Sequence, residues 1–432
     1  MTPDGGLAVA IGRESRAPGM LSMGWHADAD VSFRPGDEFP FEDRALARID
    51  CGGFVTKLES AQKLHFLLEC RRSLRPHGEL RITVDAASAA ARDLARLAER
   101  VGLDAENPYS APGVAPGLRV TKPDRMLRGD PLVSILIPAY NEPFFGACFD
   151  SALAQTYERI EIVICDDSPG TGIEALARTR ASRFPVRYER NATRRGPRGN
   201  FTRCFELARG EFVKFLCDDD LLAPTCVAKL LDAFRNAPDI ALATTARQRT
   251  DAEGRPLADQ PATVPVVAED SVIAGYTLAN AMIFAGLNTV GEPSTTLFRK
   301  TELLGQAPEY FRFGDEAGHG IIDLITWAAL LLRGDAVYLR ERLSSFRNHP
   351  GQRQHDPKKA QRNIESIRGL QAAWLALGLH RRLKPDALLV KPYPPPADTD
   401  WRSEPMLGFA ARPSPAAGAG MVPATPSSNA SR

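Results

Sequence analysis

The chain has 432 residues, enough for two or three domains with a sizeable buried core. Lys plus Arg number 54 and Asp plus Glu 53, so the formal net charge is only +1; that balance argues against a nucleic-acid partner held by bulk positive charge. Hydrophobic residues at 44% and charged residues at 25% are the proportions of an ordinary globular protein.

Met1 to Gly12 lacks a basic start and a long apolar stretch, so no signal peptide is read there and a cytoplasmic location is expected. Residues 1–105 mix strand-like and helical pieces. Residues 106–130 carry Pro108, Pro112, Pro116 and Pro123 with several Gly and read as a linker. Residues 131–350 alternate short β-rich runs with amphipathic helices, and 351–384 read as a helical extension. From 385 onward the chain is rich in Pro, Ala and Ser, a composition that predicts a disordered tail over 385–432. The seven Cys are odd in number and form no C-x-x-C pair, which predicts buried free thiols.

The middle region carries the chemistry. Val133 to Pro138 and Ile160 to Cys165 are β-branched runs that end in polar residues. Between them Phe145, Cys148, Phe149 and Ala152 fall on one helical face. A third strand, Phe212 to Leu216, follows a helical stretch from Asn200 to Ala208. Strand, helix, strand in succession predicts an α/β fold with a mostly parallel sheet flanked by helices. Ligands of such sheets bind beyond the carboxyl ends of the strands. Tyr140-Asn141-Glu142, Asp166-Asp167 and Asp218-Asp219-Asp220 therefore converge on one candidate site.

Two carboxylates about 4 Å apart repel by roughly 1 kcal/mol in water and roughly 4 at an intermediate dielectric. A divalent cation reverses that sign, and Mg²⁺ or Mn²⁺ suits hard oxygen ligands shared with substrate phosphates. The competing reading of the Asp triplet is a solvated acidic turn before a helix starting near Thr225.

PLVSILIPAYNEPFFGACFDSALAQTYERIEIVICDDSPGTG followed by GPRGNFTRCFELARGEFVKFLCDDDLLAP resembles the family 2 inverting glycosyltransferases of GT-A fold, over roughly residues 131–350. The resemblance implies a nucleotide-diphospho-sugar transferase fold with Mn²⁺ or Mg²⁺ as cofactor. It implies Pro138, Ala139, Tyr140 and Glu142 around the nucleobase, with Asp167 hydrogen-bonded to it. It makes Asp219 the metal ligand and Asp218 the ribose or sugar contact of the family's D-x-D motif. Cys217 stands where many relatives carry the first aspartate, which leaves the register of that motif open. Arg198 is either a phosphate contact or part of a solvated basic loop with Arg194 and Arg195.

Inversion needs a base that deprotonates the acceptor hydroxyl as it attacks the anomeric carbon. The longest apolar run, Ile321 to Leu332, is interrupted by Asp323 and is too short to span a bilayer. By resemblance Asp323 is the catalytic carboxylate, with Trp327 on the same helix; the alternative is an aspartate favoured by the helix dipole. Ala329 stands where relatives often carry an Arg. Gly291-Glu292-Pro293-Ser294 is an acceptor-side loop or a plain turn, with Glu292 and Ser294 its polar members. His349 is a late metal or diphosphate ligand or a structural histidine, and His355 is its weaker rival.

Nearer the N-terminus, Gly36 to Asp43, Ile49-Asp50-Cys51 and Leu67 to Ile82, including Leu74-Arg75-Pro76-His77-Gly78, resemble the later part of class I S-adenosylmethionine-dependent methyltransferases. The glycine-rich cofactor turn of that class is reduced here to Val9-Ala10-Ile11-Gly12-Arg13-Glu14-Ser15. A smaller, truncated Rossmann-like domain without activity is therefore expected over 1–105. The expected function is metal-dependent transfer of a sugar, from a nucleotide-sugar donor with UDP favoured, to a glycan or lipid-linked glycan acceptor in cell-surface polysaccharide synthesis. Peripheral association with the inner face of the membrane goes with such an acceptor. The rivals are a bifunctional methyltransferase and glycosyltransferase, and a non-catalytic glycan-assembly protein.

Overall fold

In the computed structural model the described backbone comprises residues 7–11, 21–24, 31–32, 39–111, 114–306, 309–313, 321–352, 357–378, 386–396 and 399–408. Two sheets organise it. The first holds β1 (Leu7–Ile11), β2 (Leu21–Gly24), β3 (Val31–Ser32), β4 (Leu46–Cys51), β5 (Leu74–Thr83), β6 (Asp104–Ala111) and β7 (Val114–Thr121), with helices α1 (Ser60–Ser73) and α2 (Ala89–Arg100). Its order is β3-β2-β1-β4-β5-β7-β6, parallel as far as β5 and antiparallel at the β7 and β6 edge. The run 3-2-1-4-5 is the order of a doubly wound dinucleotide-binding sheet. The reduced cofactor turn from Gly12 to Ser15, and Gly36 to Glu38, lie outside the described residues.

The linker expected over 106–130 is corrected here. Residues 104–121 form the β6–β7 pair, which extends the first domain to Thr121. Pro108 lies in the edge strand β6, where a missing N–H is tolerated, and Pro116 lies in β7; Pro123 follows β7, and Pro112 lies outside the described residues. Gly117 has a packing reason as well: a Cβ there would lie 2.3 Å from the Ile82 carbonyl oxygen.

The second sheet starts with β8 (Val133–Ala139), α3 (Glu142–Leu153), β9 (Ile160–Asp166), α4 (Gly172–Thr179), β10 (Val186–Arg190), α5 (Gly196–Leu207) and β11 (Phe212–Phe215). It continues with β12 (Leu221–Leu222), α6 (Cys226–Asn236), β13 (Ile240–Thr250), β14 (Ser271–Ile273), α7 (Gly275–Ala285), β15 (Leu297–Arg299), α8 (Thr301–Leu304), α9 (Ile322–Arg333) and β16 (Asp335–Arg347). It closes with α10 (Pro357–Ala376), β17 (Ala387–Pro392) and β18 (Arg402–Pro405). The order is β10-β9-β8-β11-β15-β13-β16-β14-β17-β18, with β12 paired to β16. β10, β9, β8 and β11 are parallel. Every residue of β8 and β9 is buried, as expected of strands covered on both faces. Strand order reverses between β8 and β11, and the crevice beyond their carboxyl ends is where such sheets bind ligands.

The disordered tail expected over 385–432 is also corrected. β17 pairs with β14 and β18 with β17, and Leu388, Val390 and Met406 are buried. The short apolar run Ala387 to Val390 gains enough from burial to join the sheet, although the surrounding composition is Pro-rich. Residues 409–432 lie outside the described residues.

Buried and half-buried ion pairs join the two sheets. Asp239, at the start of β13, receives Lys122 Nζ at 2.9 Å and Arg44 Nε at 3.0 Å. Burial alone would raise the Asp239 carboxyl, but the two cations outweigh it and hold it at about 2. Arg125 pairs with Glu302 at 3.0 Å, and Asp43 accepts from Lys391 and Trp401 at 2.9 Å each. All seven cysteines are free, and six of them are buried.

Candidate active site

β8 ends at Ala139, β9 at Asp166, and β11 leads into Asp218-Asp219-Asp220, so the parallel register of these strands brings three polar strand ends to one crevice. The three consecutive aspartates have different surroundings. Asp218 Oδ2 accepts the backbone N–H groups of Tyr140 and Asn141, and its Oδ1 accepts Asn141 Nδ2 at 2.8 Å. Burial, and then Asp219, push the Asp218 carboxyl up to about 6 against those hydrogen bonds. Asp220 accepts Ser294 Oγ at 2.6 Å and the Arg347 N–H at 3.2 Å, and burial raises it well above the usual carboxylate range. Among the described residues the Asp219 carboxylate accepts no backbone donor; its Oδ2 lies 3.2 Å from His349 Nε2 and 3.5 Å from Gln352 Nε2. Arg347 donates to the Asp219 carbonyl at 2.8 Å and lies over the Phe144 ring, which also packs on His349.

The residues expected around a nucleobase divide in the same way. Pro138 and Ala139 are interior backbone of β8, while Tyr140 is 41% exposed beneath the Arg194 guanidinium, 4.5 Å from the ring centroid. Glu142 opens α3 and lies against Gly172, where a Cβ would fall 1.8 Å from Oε1. The Asp167 carboxylate accepts Asn191 Nδ2, Arg195 N and Gly196 N at 2.8–2.9 Å and so fixes the loop entering α5. Arg198 Nη2 donates to the Tyr310 carbonyl at 2.9 Å.

On the other side of the triplet, a 3-10 turn over Pro293–Thr295 faces α9. The Ser294 hydroxyl bridges Asp220 and the Cys217 N–H, and its carbonyl accepts the Nζ of fully buried Lys214. Ser294 therefore belongs to the wall of the aspartate triplet. Glu292 forms an ion pair with Arg247 at 2.6 Å. Asp323, in the first turn of α9, accepts Asn288 Nδ2 at 2.7 Å and the Leu324 N–H at 2.9 Å. Burial pushes its carboxyl up to about 6, with Glu292 adding to the rise and the two donors opposing it. Trp327, one turn along, donates to the Gly291 carbonyl at 2.8 Å. His355 lies outside the described residues.

Sequence reasoning placed Asn141 at the site without a role, and missed Lys214, Arg247, Asn288, Arg347 and Gln352. Lys214 and Asn288 had visible signals. Lys214 is a cation in the middle of an apolar strand, and Asn288 opens Asn-Thr-Val-Gly after a helix. Among the described residues no three His, Cys, Asp or Glu cluster as a closed metal cage, and no helix is long and apolar enough to cross a membrane.

Residues 134–301 match the family described as Glycosyl transferase family 2. An E. coli chondroitin synthase is 35% identical over 30% of this chain and 19% of its own length. The E. coli UDP-Glc:alpha-D-GlcNAc-diphosphoundecaprenol beta-1,3-glucosyltransferase WfaP is 35% identical over 22% of this chain and 39% of its own. The chain thus spans less than half the length of either relative. An uncharacterised protein of Mycobacterium tuberculosis is 28% identical over 50% of this chain and 67% of its own. Among solved structures, S. aureus TarS with UDP-GlcNAc superposes at a TM-score of 0.40 and 18% identity, over 51% of this chain and 60% of that one. Residues 134–301 are thus similar to family 2 glycosyltransferase domains, within a mixed α/β fold whose sheets are flanked by helices.

Proposed function

We propose that the protein is a metal-dependent, inverting glycosyltransferase that moves a sugar from a UDP-sugar to a hydroxyl of a glycan or lipid-linked glycan in cell-surface polysaccharide synthesis. One observation carries this reading. Among the described residues, Asp219 is the member of the triplet whose carboxylate meets side chains and not backbone N–H groups, and it faces an imidazole nitrogen at 3.2 Å. One carboxylate suits Mn²⁺ or Mg²⁺ when substrate phosphates and water fill the remaining positions, and the imidazole nitrogen favours Mn²⁺ of the two. Asp219 and His349 would hold that ion. When bound, it draws negative charge from the leaving diphosphate.

The chain's own residues supply the rest. Tyr140 offers an exposed ring to the base, and the Asp167-held loop carries Arg194 over it. Asp218 fixes the Tyr140 and Asn141 amides, so its part in donor binding is indirect. Asp323 takes the proton of the acceptor hydroxyl as that oxygen bonds to the anomeric carbon. The bond from that carbon to the diphosphate breaks on the opposite face, and the nucleoside diphosphate leaves. A UDP donor and a lipid-linked acceptor are supported by the name of the relative WfaP.

The first domain is proposed to be a methyltransferase-like remnant that packs against the transferase without binding S-adenosylmethionine. Support comes from its 3-2-1-4-5 strand order and from Lys122 and Arg44, which are committed to Asp239 across the join. Calorimetry tests both parts. UDP is expected to bind tightly only with Mn²⁺ present, and S-adenosylmethionine is expected to give no heat. Equal UDP affinity in chelator would remove the metal, and a saturable S-adenosylmethionine isotherm would restore the bifunctional reading.

A further inference from the structure

Asn288 lies between α7 and the 3-10 turn, in a stretch no family motif above uses. Its side-chain oxygen accepts the Gly291 N–H at 3.0 Å, and its Nδ2 donates to the Gly291 carbonyl at 2.8 Å and to Asp323 Oδ2 at 2.7 Å. The amide has one chemically sensible orientation. Flipping it would set an oxygen against the Asp323 carboxylate and the Gly291 carbonyl and leave the Gly291 N–H facing a donor. Gly291 sits at φ +120°, so the turn is one that favours glycine. The Gly291 carbonyl also accepts Trp327 Nε1, and the Asn288 carbonyl accepts Arg247 Nη2 at 3.0 Å. The turn over 288–291 is thus clasped to α9 at Asp323 and Trp327, four residues apart on one helix face, and anchored behind by a buried arginine.

We propose that Asn288 is a positioning residue for the catalytic base: it fixes the Asp323 carboxylate toward the acceptor and stabilises its ionised form. This rests on Asp323 being the base. With Leu324 N–H on Oδ1 and Asn288 on Oδ2, the carboxylate plane is set by two donors from different elements, and each oxygen keeps lone-pair capacity for an acceptor hydroxyl. Among the described residues the charged group facing Asp323 is Glu292, from the turn, and Glu292 is itself paired to Arg247 of β13. The neighbouring carboxylate makes a donor at Oδ2 the more necessary, because like charge favours the protonated acid.

The test uses the full chain labelled with ¹³C-carboxyl aspartate, the Asp323 resonance being assigned by its loss in Asp323→Asn. Asn288→Asp keeps shape and an acceptor for the Gly291 N–H, so the turn is retained while the donor becomes a like charge. It is expected to raise the Asp323 midpoint by about one pH unit or more, and Asn288→Ala by about half a unit. The acid limb of transfer from UDP-glucose to an alkyl-diphospho-N-acetylglucosamine should move up in parallel. Unchanged Asp323 midpoints in both variants, with Asp323→Asn inactive, would leave Asn288 a turn former and overturn the proposal. Wild-type transfer by Asp323→Asn would overturn the base assignment beneath it, whatever the Asn288 variants do.

Discussion

On one side of the crevice Asp218 and Asp220 are buried, on the other Asp323 is half-buried, and the protein gives them different partners. In the triplet two carboxylates, Asp218 and Asp220, are given over to backbone N–H groups and a serine hydroxyl, so their lone pairs hold loops together. The carboxylate between them is left facing a histidine. At α9 a single carboxylate receives two donors and is otherwise surrounded by apolar helix and by Glu292. Hydrogen bonds to Asp218 and Asp220 oppose the rise that burial causes without cancelling it, so these two acids are structural through their partners and not through their charge state. Asp323 is raised to about 6 as well, a proton affinity that suits a general base near neutral pH, and it differs from Asp218 in its partners, with lone-pair capacity left for an acceptor hydroxyl. Neighbours with the same side chain can therefore carry different functions, and hydrogen-bond partners distinguish them where residue type does not.

The sharpest way to break this contrast is to exchange Asp219 and Asp218 separately for Ala. Asp219→Ala should abolish Mn²⁺-dependent UDP binding while the melting temperature stays near wild type, since no backbone group loses its partner. Asp218→Ala should instead strip three donors of their acceptor at the entry to α3 and cost about 2–3 kcal/mol of stability. Calorimetry and thermal unfolding on the same two proteins read both effects. Metal-dependent binding retained by Asp219→Ala would move the ligand to another aspartate.

On the acceptor side, Asp323→Asn should leave UDP and Mn²⁺ affinity intact and cut transfer at least about a hundredfold, the lower scale of general-base catalysis. The amide keeps the shape, so packing around Trp327 survives, but it does not take the acceptor's proton. A steady-state assay with a nucleotide-sugar donor and acceptor that the wild-type protein turns over measures the loss. An unchanged rate would place the base elsewhere, with Glu292 next in line.

Between the two sides runs the Ser294 turn, held from below by Lys214, whose buried ammonium donates to the Ser294 carbonyl. Burial lowers the Lys214 pKa, so this cation is kept at a cost and has a structural reason for being there. Lys214→Met, close in volume and apolar, should loosen Ser294 and with it Asp220 and the Cys217 amide. Donor affinity is expected to fall about tenfold, the scale of one charge-assisted hydrogen bond, with the global fold retained. Titration of UDP in Mn²⁺ checks it, and a wild-type isotherm would detach the turn from the donor side.

How much of this was legible before the structure depends on what kind of signal each residue gives. The strands Val133–Ala139 and Ile160–Asp166, and the helix face of Phe145, Cys148, Phe149 and Ala152, were readable because a buried parallel strand and an amphipathic helix write their periodicity into consecutive residues. The polar strand ends were readable for the same reason. Partner choice was not: nothing in three identical aspartates says which will meet Tyr140 N, which His349 and which Ser294, because those neighbours lie tens of residues away. The β6–β7 pair and the strands β17 and β18 were hidden by Pro and Gly, whose local meaning is a break unless a sheet edge is available. Arg247 and Asn288 act through backbone carbonyls and a turn, contacts that carry no residue-type code.

The smallest expected effect is on stability, and it ties the acceptor-side carboxylate to its cost. The Asp323 carboxyl, raised to about 6 in the folded protein, titrates near 3.8 when unfolded. Below the lower value both states are protonated and folding carries no charge penalty. As pH rises between the two values the unfolded chain ionises first, so stability falls, and above about 6 the full penalty is present. Asp323→Asn has no proton to lose. It should therefore equal or trail wild type near pH 4, where the acid is neutral, and gain on it steadily toward pH 7. The pKa difference sets a ceiling of about 3 kcal/mol, and partial solvent access to the side chain brings the expected gain to about 1–2 kcal/mol. Urea unfolding at pH 4, 5, 6 and 7 resolves it as a divergence between two curves. Parallel curves across that range would mean that Asp323 is solvated like an ordinary surface acid and is not poised as a base by its surroundings.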